Sequence, residues 1–161
     1  MLAVYRASTA LLAAHAAAAE AFFSLFGILG VATLLPGLVV RSEDDPLSSL
    51  GMTRCRLGVS LLISAIFAVG SLPAYFASAP GPSALPHLAA SLLNLWEPLF
   101  VFGWLQLRFE DAFGWLPAPL IASACFTAYH LGSLPADALG PLAVWGAVIG
   151  VLFASTRNLF V

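Results

Sequence analysis

Lysine is missing from this sequence, and the six Arg that remain are scattered. No basic patch forms, which excludes a nucleic-acid partner. Charged residues of both signs make up only 9% of the 161 residues, against roughly 25% in an ordinary soluble domain. Only two cysteines occur, Cys55 and Cys125, far apart in unlike surroundings. They provide neither a disulfide framework nor a zinc site and read as small apolar fillers. No His-Glu-x-x-His pair is present, and no third plausible ligand lies near the candidate site below, so no metal and no cofactor is expected. No internal repeat is visible.

What is abundant is apolar: 61% of the chain. A water-soluble domain of this size cannot hide so much hydrophobic surface in one core. A lipid bilayer is the solvent that suits it, and the length permits about five spans of ~20 residues. The expectation is an all-α, polytopic transmembrane helix bundle, residues 1–161 forming a single transmembrane domain in the cell membrane. Span 1 is predicted at about Ala18 to Val40 and span 2 at Leu57 to Ala77. Span 3 follows at His87 to Leu107, span 4 at Trp115 to Leu134 and span 5 at Leu142 to Ser155. A charged loop, Arg41 to Arg56, a Pro/Gly/Ser loop, Ser78 to Pro86, a turn, Arg108 to Gly114, and a second Pro/Gly loop, Pro135 to Pro141, separate them. The Ala-rich first twenty residues, with Arg6, have some features of a secretory signal. Because strong hydrophobicity continues from Ala21 to Val40, they are read instead as a retained interfacial or membrane helix.

Arg41, Arg54 and Arg56 share one loop, Arg108 falls in the next but one, and Arg157 follows span 5. This alternation is the positive-inside pattern and places those three sites in the cytoplasm, with Arg6 the single dissenter.

Ionisable groups inside a span are costly and need a reason. Glu20, near the start of span 1, can reach the headgroups. Glu97 sits mid-span beside Pro98, and His130 late in span 4. Ser91, Asn94 and Glu97 recur every three residues, while Ser123, Thr127 and His130 follow i, i+4, i+7 spacing. Each set marks one helix face, which should turn away from lipid. Spans 3 and 4 form a hairpin about Asp111, fourteen residues after Glu97 and nineteen before His130. The mismatch is about 7 Å at ~1.5 Å per residue, so the two side chains can meet. Pro98, Pro117 and Pro119 can alter that offset by kinking the helices. Such a pair suits general-base activation of water for attack on an amide carbonyl. From spacing alone, a structural buried pair locking two helices, or a proton relay in a small transporter, remains open. Neither repeats nor paired broken helices point to the transporter.

The stretch from Asn94 to His130 resembles the CPBP family, the CAAX-protease and bacteriocin-processing intramembrane proteins. Their first motif reads Glu-Glu-x-x-x-Arg followed by Gly. Here Glu97 and Gly103 match, while Pro98 stands for the second Glu and Phe102 for the Arg. The second motif, Phe-x-x-x-His, is intact as Phe126 to His130, and the separation between motifs is similar to the family's. Thr156 to Leu159 resembles the lead-in to the family's last helix. That helix carries a third motif, His-x-x-x-Asn or similar, which does not occur before Val161. The resemblance covers about residues 85–161. It implies an intramembrane glutamic endopeptidase that hydrolyses a peptide bond of a membrane-associated protein or peptide. Glu97 and His130 would be catalytic, and Phe126, Asn94 and Gly103 supporting. The alternative is a catalytically inactive relative acting as a membrane immunity or scaffold protein. The joint loss of the second Glu and the Arg removes a buried charge pair rather than orphaning one partner.

Overall fold

A computed structural model describes residues 10, 15, 18, 21–78 and 95–160, with backbone alone at 72, 74–76 and 78. The described residues form five long helices and contain no β-strand, only an isolated bridge between Leu131 and Leu134. Helix α1 spans Phe23–Val40. Helix α2 is Leu57–Ser78, α3 covers residues 96–113, α4 is Pro117–Tyr129 and α5 is Ala136–Thr156.

Two of these, Phe23–Val40 and Ala136–Thr156, are long and apolar enough to cross a membrane, and α2 adds the apolar stretch Leu57–Ser71. Of the five spans expected, two therefore meet that criterion, and the third begins outside the described residues. The outward faces carry Leu38, Leu62, Ile66, Val69 and Val144, which are 62% to 67% exposed. Water would penalise each of these side chains, whereas lipid covers them without cost.

Three predicted boundaries move. The expected turn at Arg108 to Gly114 is helical as far as Phe113. Its charged residues are satisfied on the helix surface: Arg108 reaches Asp111 at 3.4 Å, one turn along. Gly114, at φ 88°, is where the chain breaks. Helix α4 ends at Tyr129, five residues before the predicted Leu134, because His130 takes φ −87° and ψ 0° and Gly132 takes φ 90°. Helix α5 begins at Ala136, six residues before the predicted Leu142. Pro135 is extended at its N-cap, and Pro141, within the helix, removes only one backbone bond.

The sequence pattern carries no sign of the two π-helical stretches, Phe23–Leu34 in α1 and Leu99–Gln106 in α3. The wider turn shows directly in bonds five residues apart, from Thr33 Oγ1 to the Ile28 carbonyl at 2.9 Å and from the Leu35 N–H to Gly30. Such turns are rare and concentrate at functional sites.

The core joins Ala32 of α1, Phe100, Val101 and Phe102 of α3, Ala122 of α4 and Phe153 of α5. Helices α4 and α5 approach closely because α5 presents glycine. A Cβ on Gly146 would lie 2.8 Å from Ser123 Oγ, and one on Gly150 would lie 3.0 Å from Pro119 Cβ. Across this seam the Ser123 hydroxyl donates to the Ala143 carbonyl at 2.6 Å, and from α3 the fully buried Gln106 donates to the Gly150 carbonyl at 2.9 Å.

The loop bearing Arg41, Arg54 and Arg56, the charged end of α3 with Arg108, and Arg157 after α5 gather at one end of the bundle. Arg108 pairs with Glu43 at 2.7 Å, Arg157 with Glu110, and Arg56 donates to the Ser155 carbonyl. The segment after α5 is clasped to the loop before α2. Buried Asn158 donates to the carbonyls of Thr53 (2.6 Å) and Cys55 (2.9 Å) and accepts from the Phe160 N–H (2.9 Å). The Leu159 N–H donates to the Gly51 carbonyl at 2.8 Å.

Within this end, the Ser49 hydroxyl and then the Arg108 guanidinium hold the Glu43 carboxyl below the ordinary carboxylate range. A folded-state value below the unfolded one means these bonds stabilise at neutral pH. They are lost as pH falls below the usual value of about 4.3 and through the folded one. The thermal midpoint in detergent is therefore expected to fall between about pH 5 and pH 3, and Glu43→Gln should flatten part of that slope. An identical slope in the variant would contradict the assignment.

Candidate active site

Glu97 stands in the first turn of α3, one residue after Trp96, with the π-helical segment starting two residues later. It is half-buried and lines a cavity of about 330 Å³. The other walls are largely aromatic and aliphatic, with Trp96, Phe100 and Val101 from α3 and Phe126 and Tyr129 from α4. Cys125, a free thiol, stands at the same cavity and is exposed.

His130 is half-buried at the C-cap of α4, just where the chain leaves the helix. Its φ and ψ fall in the sparsely populated bridge region, a frequent setting for active-site residues. The ring is not part of the cavity lining but packs against two residues that are. It stands nearly perpendicular to Phe126, with centroids 4.7 Å apart, and to Tyr129, at 5.0 Å. Nδ1 lies 3.0 Å from the Phe126 carbonyl. A carbonyl only accepts, so Nδ1 carries the proton there, and Nε2 is left with its lone pair in the neutral ring.

The boundary shifts reduce the offset between the two along their helices. With the interhelical break at Gly114 to Leu116 rather than Asp111, Glu97 lies eighteen residues before Trp115 and His130 fifteen after it. The mismatch drops from five residues to three, about 4.5 Å at ~1.5 Å per residue.

Phe126 has two ring contacts, one of which ties α4 to α3. Besides orienting His130, its ring meets Phe102 of α3 at 6.5 Å. Phe102 is buried, so the position that resembles the family's Arg holds a core aromatic instead. Gly103 sits under the charged loop: a Cβ there would collide with the Leu50 carbonyl oxygen. Backbone cannot swing away as a side chain can. Gly103→Ala is thus expected to cost about 1–3 kcal/mol through overpacking, read as a lower thermal midpoint. Gly58→Ala, with open space around it, is the matched control and should not fall; equal midpoints for the two variants would refute the packing role. Asn94 and Ser91 lie outside the described residues, as do Glu20, Arg6 and the loop 79–86. Among the described residues no three His, Cys, Asp or Glu side chains converge to hold a metal.

Sequence reasoning passed over Trp96, Tyr129 and Phe23. Trp96 stands edge-on to Tyr129 at 6.2 Å, and Phe23 of α1 stacks on Tyr129 at 6.3 Å. Flanking positions beside both candidate residues were the available signal, but aromatic residues are common throughout this chain.

The described residues are helical with an apolar exterior, and they place Glu97 on an apolar cavity with His130 packed behind two of its wall residues. The family model described as Rce1-like, type II CAAX prenyl endopeptidase, matches residues 80–161, and the chain belongs to that family of membrane-embedded proteases. No curated protein and no solved structure matches the chain.

Proposed function

We propose that this protein is an intramembrane endopeptidase that hydrolyses a peptide bond of a membrane-associated protein or peptide with water activated by Glu97 and His130. The observation that supports the reading is that Glu97 lines an apolar cavity whose walls include Phe126 and Tyr129, the two rings that flank His130, with His130 Nδ1 bonded to the Phe126 carbonyl. In the step proposed, water attacks the scissile carbonyl carbon as its proton passes to the Glu97 carboxylate. The tetrahedral intermediate then collapses, the C–N bond breaks, and the proton on Glu97 goes to the leaving amine. His130 Nε2, free to accept, holds the water in line. The apolar walls exclude bulk water and suit an apolar substrate segment. The family's name points to a prenylated C-terminus as the substrate class. One transmembrane domain spanning residues 1–161, with the Arg-bearing end in the cytoplasm, accompanies this reading.

A second reading, a catalytically inactive relative serving as an immunity or scaffold protein, is favoured by one observation. Pro98 and buried Phe102 stand where the family's first motif has Glu and Arg.

The test is cleavage of an internally quenched, farnesylated peptide by the purified protein in proteoliposomes, with products identified by mass spectrometry. Cleavage that persists in a chelator is expected. Cleavage abolished by the chelator would overturn the carboxylate–imidazole mechanism, and no cleavage of any lipidated peptide would favour the scaffold reading.

A further inference from the structure

Tyr129 is the residue that joins the pieces of the site. Its ring stands edge-on to Trp96, the residue before Glu97, at 6.2 Å and 83°. It is equally steep against His130 at 5.0 Å and 79°. Phe23 of α1 stacks nearly parallel on it at 6.3 Å and 16°. One side chain therefore touches His130, the turn that bears Glu97, and the first helix.

The need for such a wedge follows from the backbone. His130 caps α4, and the chain beyond it turns away through Gly132 at φ 90°. The imidazole therefore has no following turn of its own helix beside it. Its orientation rests on the Nδ1 bond to Phe126 and on the two rings that flank it. Glu97 likewise stands at the start of α3, in a first turn of three residues before the π-helical segment. Offset and edge-to-face aromatic contacts have preferred geometry, so a chain of them sets a distance rather than merely filling space.

We propose that Tyr129 is a positioning residue that fixes the spacing of Glu97 and His130 by wedging its ring between Trp96 and the imidazole. The inference rests on the proposed roles of Glu97 and His130. A displacement of 1 Å at reacting groups can cost about a hundredfold in rate. A plain core role predicts something different: lower stability, with each inserted molecule turning over at the normal rate.

The experiment uses the full chain in proteoliposomes and the farnesylated peptide, with rates normalised to inserted protein. Tyr129→Leu is expected to lower kcat by about 30- to 100-fold with KM within about twofold. Tyr129→Phe, which keeps the ring, should restore kcat to within about twofold of wild type. Trp96→Leu attacks the same wedge from the other side, and serves if Tyr129→Leu does not insert. Its loss should combine non-additively with that of Tyr129→Leu. In ¹⁵N NMR, His130 should hold one ring tautomer in wild type and Tyr129→Phe, and a mixture in Tyr129→Leu. Wild-type kcat in Tyr129→Leu overturns the inference. So does a rise in KM alone, which assigns the ring to substrate binding, or a loss in Tyr129→Phe as large as in Tyr129→Leu, which assigns the hydroxyl. Glu97→Gln is run alongside. If it is inactive while Tyr129→Leu is normal, the wedge alone is wrong; if it is active, the Glu97–His130 reading falls and the wedge with it.

Discussion

Replacing Glu97 by Gln is expected to reduce peptide cleavage per inserted molecule by about a thousandfold or more. The amide keeps the size and much of the hydrogen bonding of the carboxylate but cannot accept the proton of an attacking water. A positioned general base contributes typically 10²–10⁴-fold. Because the exchange is nearly isosteric and the cavity walls are untouched, KM should stay close to the wild-type value, and the loss should sit in kcat. His130→Ala is expected to cause a comparable loss by misplacing the water. Pro98→Ala should change little, since Pro98 offers no proton chemistry. Truncating one member of a buried polar pair can also destabilise a bundle, so inserted protein must be quantified beside turnover. Substantial activity surviving in Glu97→Gln would end the glutamic-protease reading. The scaffold reading makes the opposite forecast: both variants keep their biological effect while folded.

The second large effect is expected far from the cavity, at Asn158. Its side chain is fully buried and makes three hydrogen bonds, to the carbonyls of Thr53 and Cys55 and from the N–H of Phe160. Asn158→Leu keeps the volume and removes every partner. Each buried polar group left unpaired costs about 1–3 kcal/mol, so the variant should lose roughly 3–5 kcal/mol even if water recovers part of the set. At about 2–4 °C per kcal/mol for a chain of this length, the thermal midpoint should drop by roughly 6–20 °C. Asn158→Asp should be as damaging, because a carboxylate would face two carbonyl oxygens. An unchanged midpoint in Asn158→Leu would show that the clasp adds no stability.

The residues that define the candidate site were legible because membrane burial makes charge conspicuous. Glu97 and His130 stand out against apolar neighbours, and the Phe126 to His130 spacing carries a family motif. The charged loops were legible for the same reason, and the structure gathers their arginines at one end. What was hidden depends on geometry that composition does not encode. The π-helical turns of α1 and α3 use the same apolar residues as an α-helix, differing only in which carbonyl each N–H reaches. The continuation of α3 to Phe113 was masked because Arg108, Glu110 and Asp111 read as a polar turn. They are instead the charged last turns of a helix, bonded to Glu43 and Arg157 from other segments. Asn158 drew notice only as part of a family-like stretch, since a single polar residue after a span carries no sign that it will be buried.

The clasp also dictates an order of assembly. Asn158 bonds to residues 105 and 103 positions earlier in the chain, and Arg157 to Glu110, 47 positions earlier. Contacts this distant in sequence cannot form before residues 157 and 158 have left the ribosome and α5 has joined the bundle. Until then the loop before α2 has unpaired carbonyls and the Glu110 carboxylate lacks its Arg157 partner. Closing the clasp thus follows the insertion of α5, and Asn158→Leu should leave the Arg41 to Arg56 loop more protease-sensitive than in the wild-type protein in proteoliposomes.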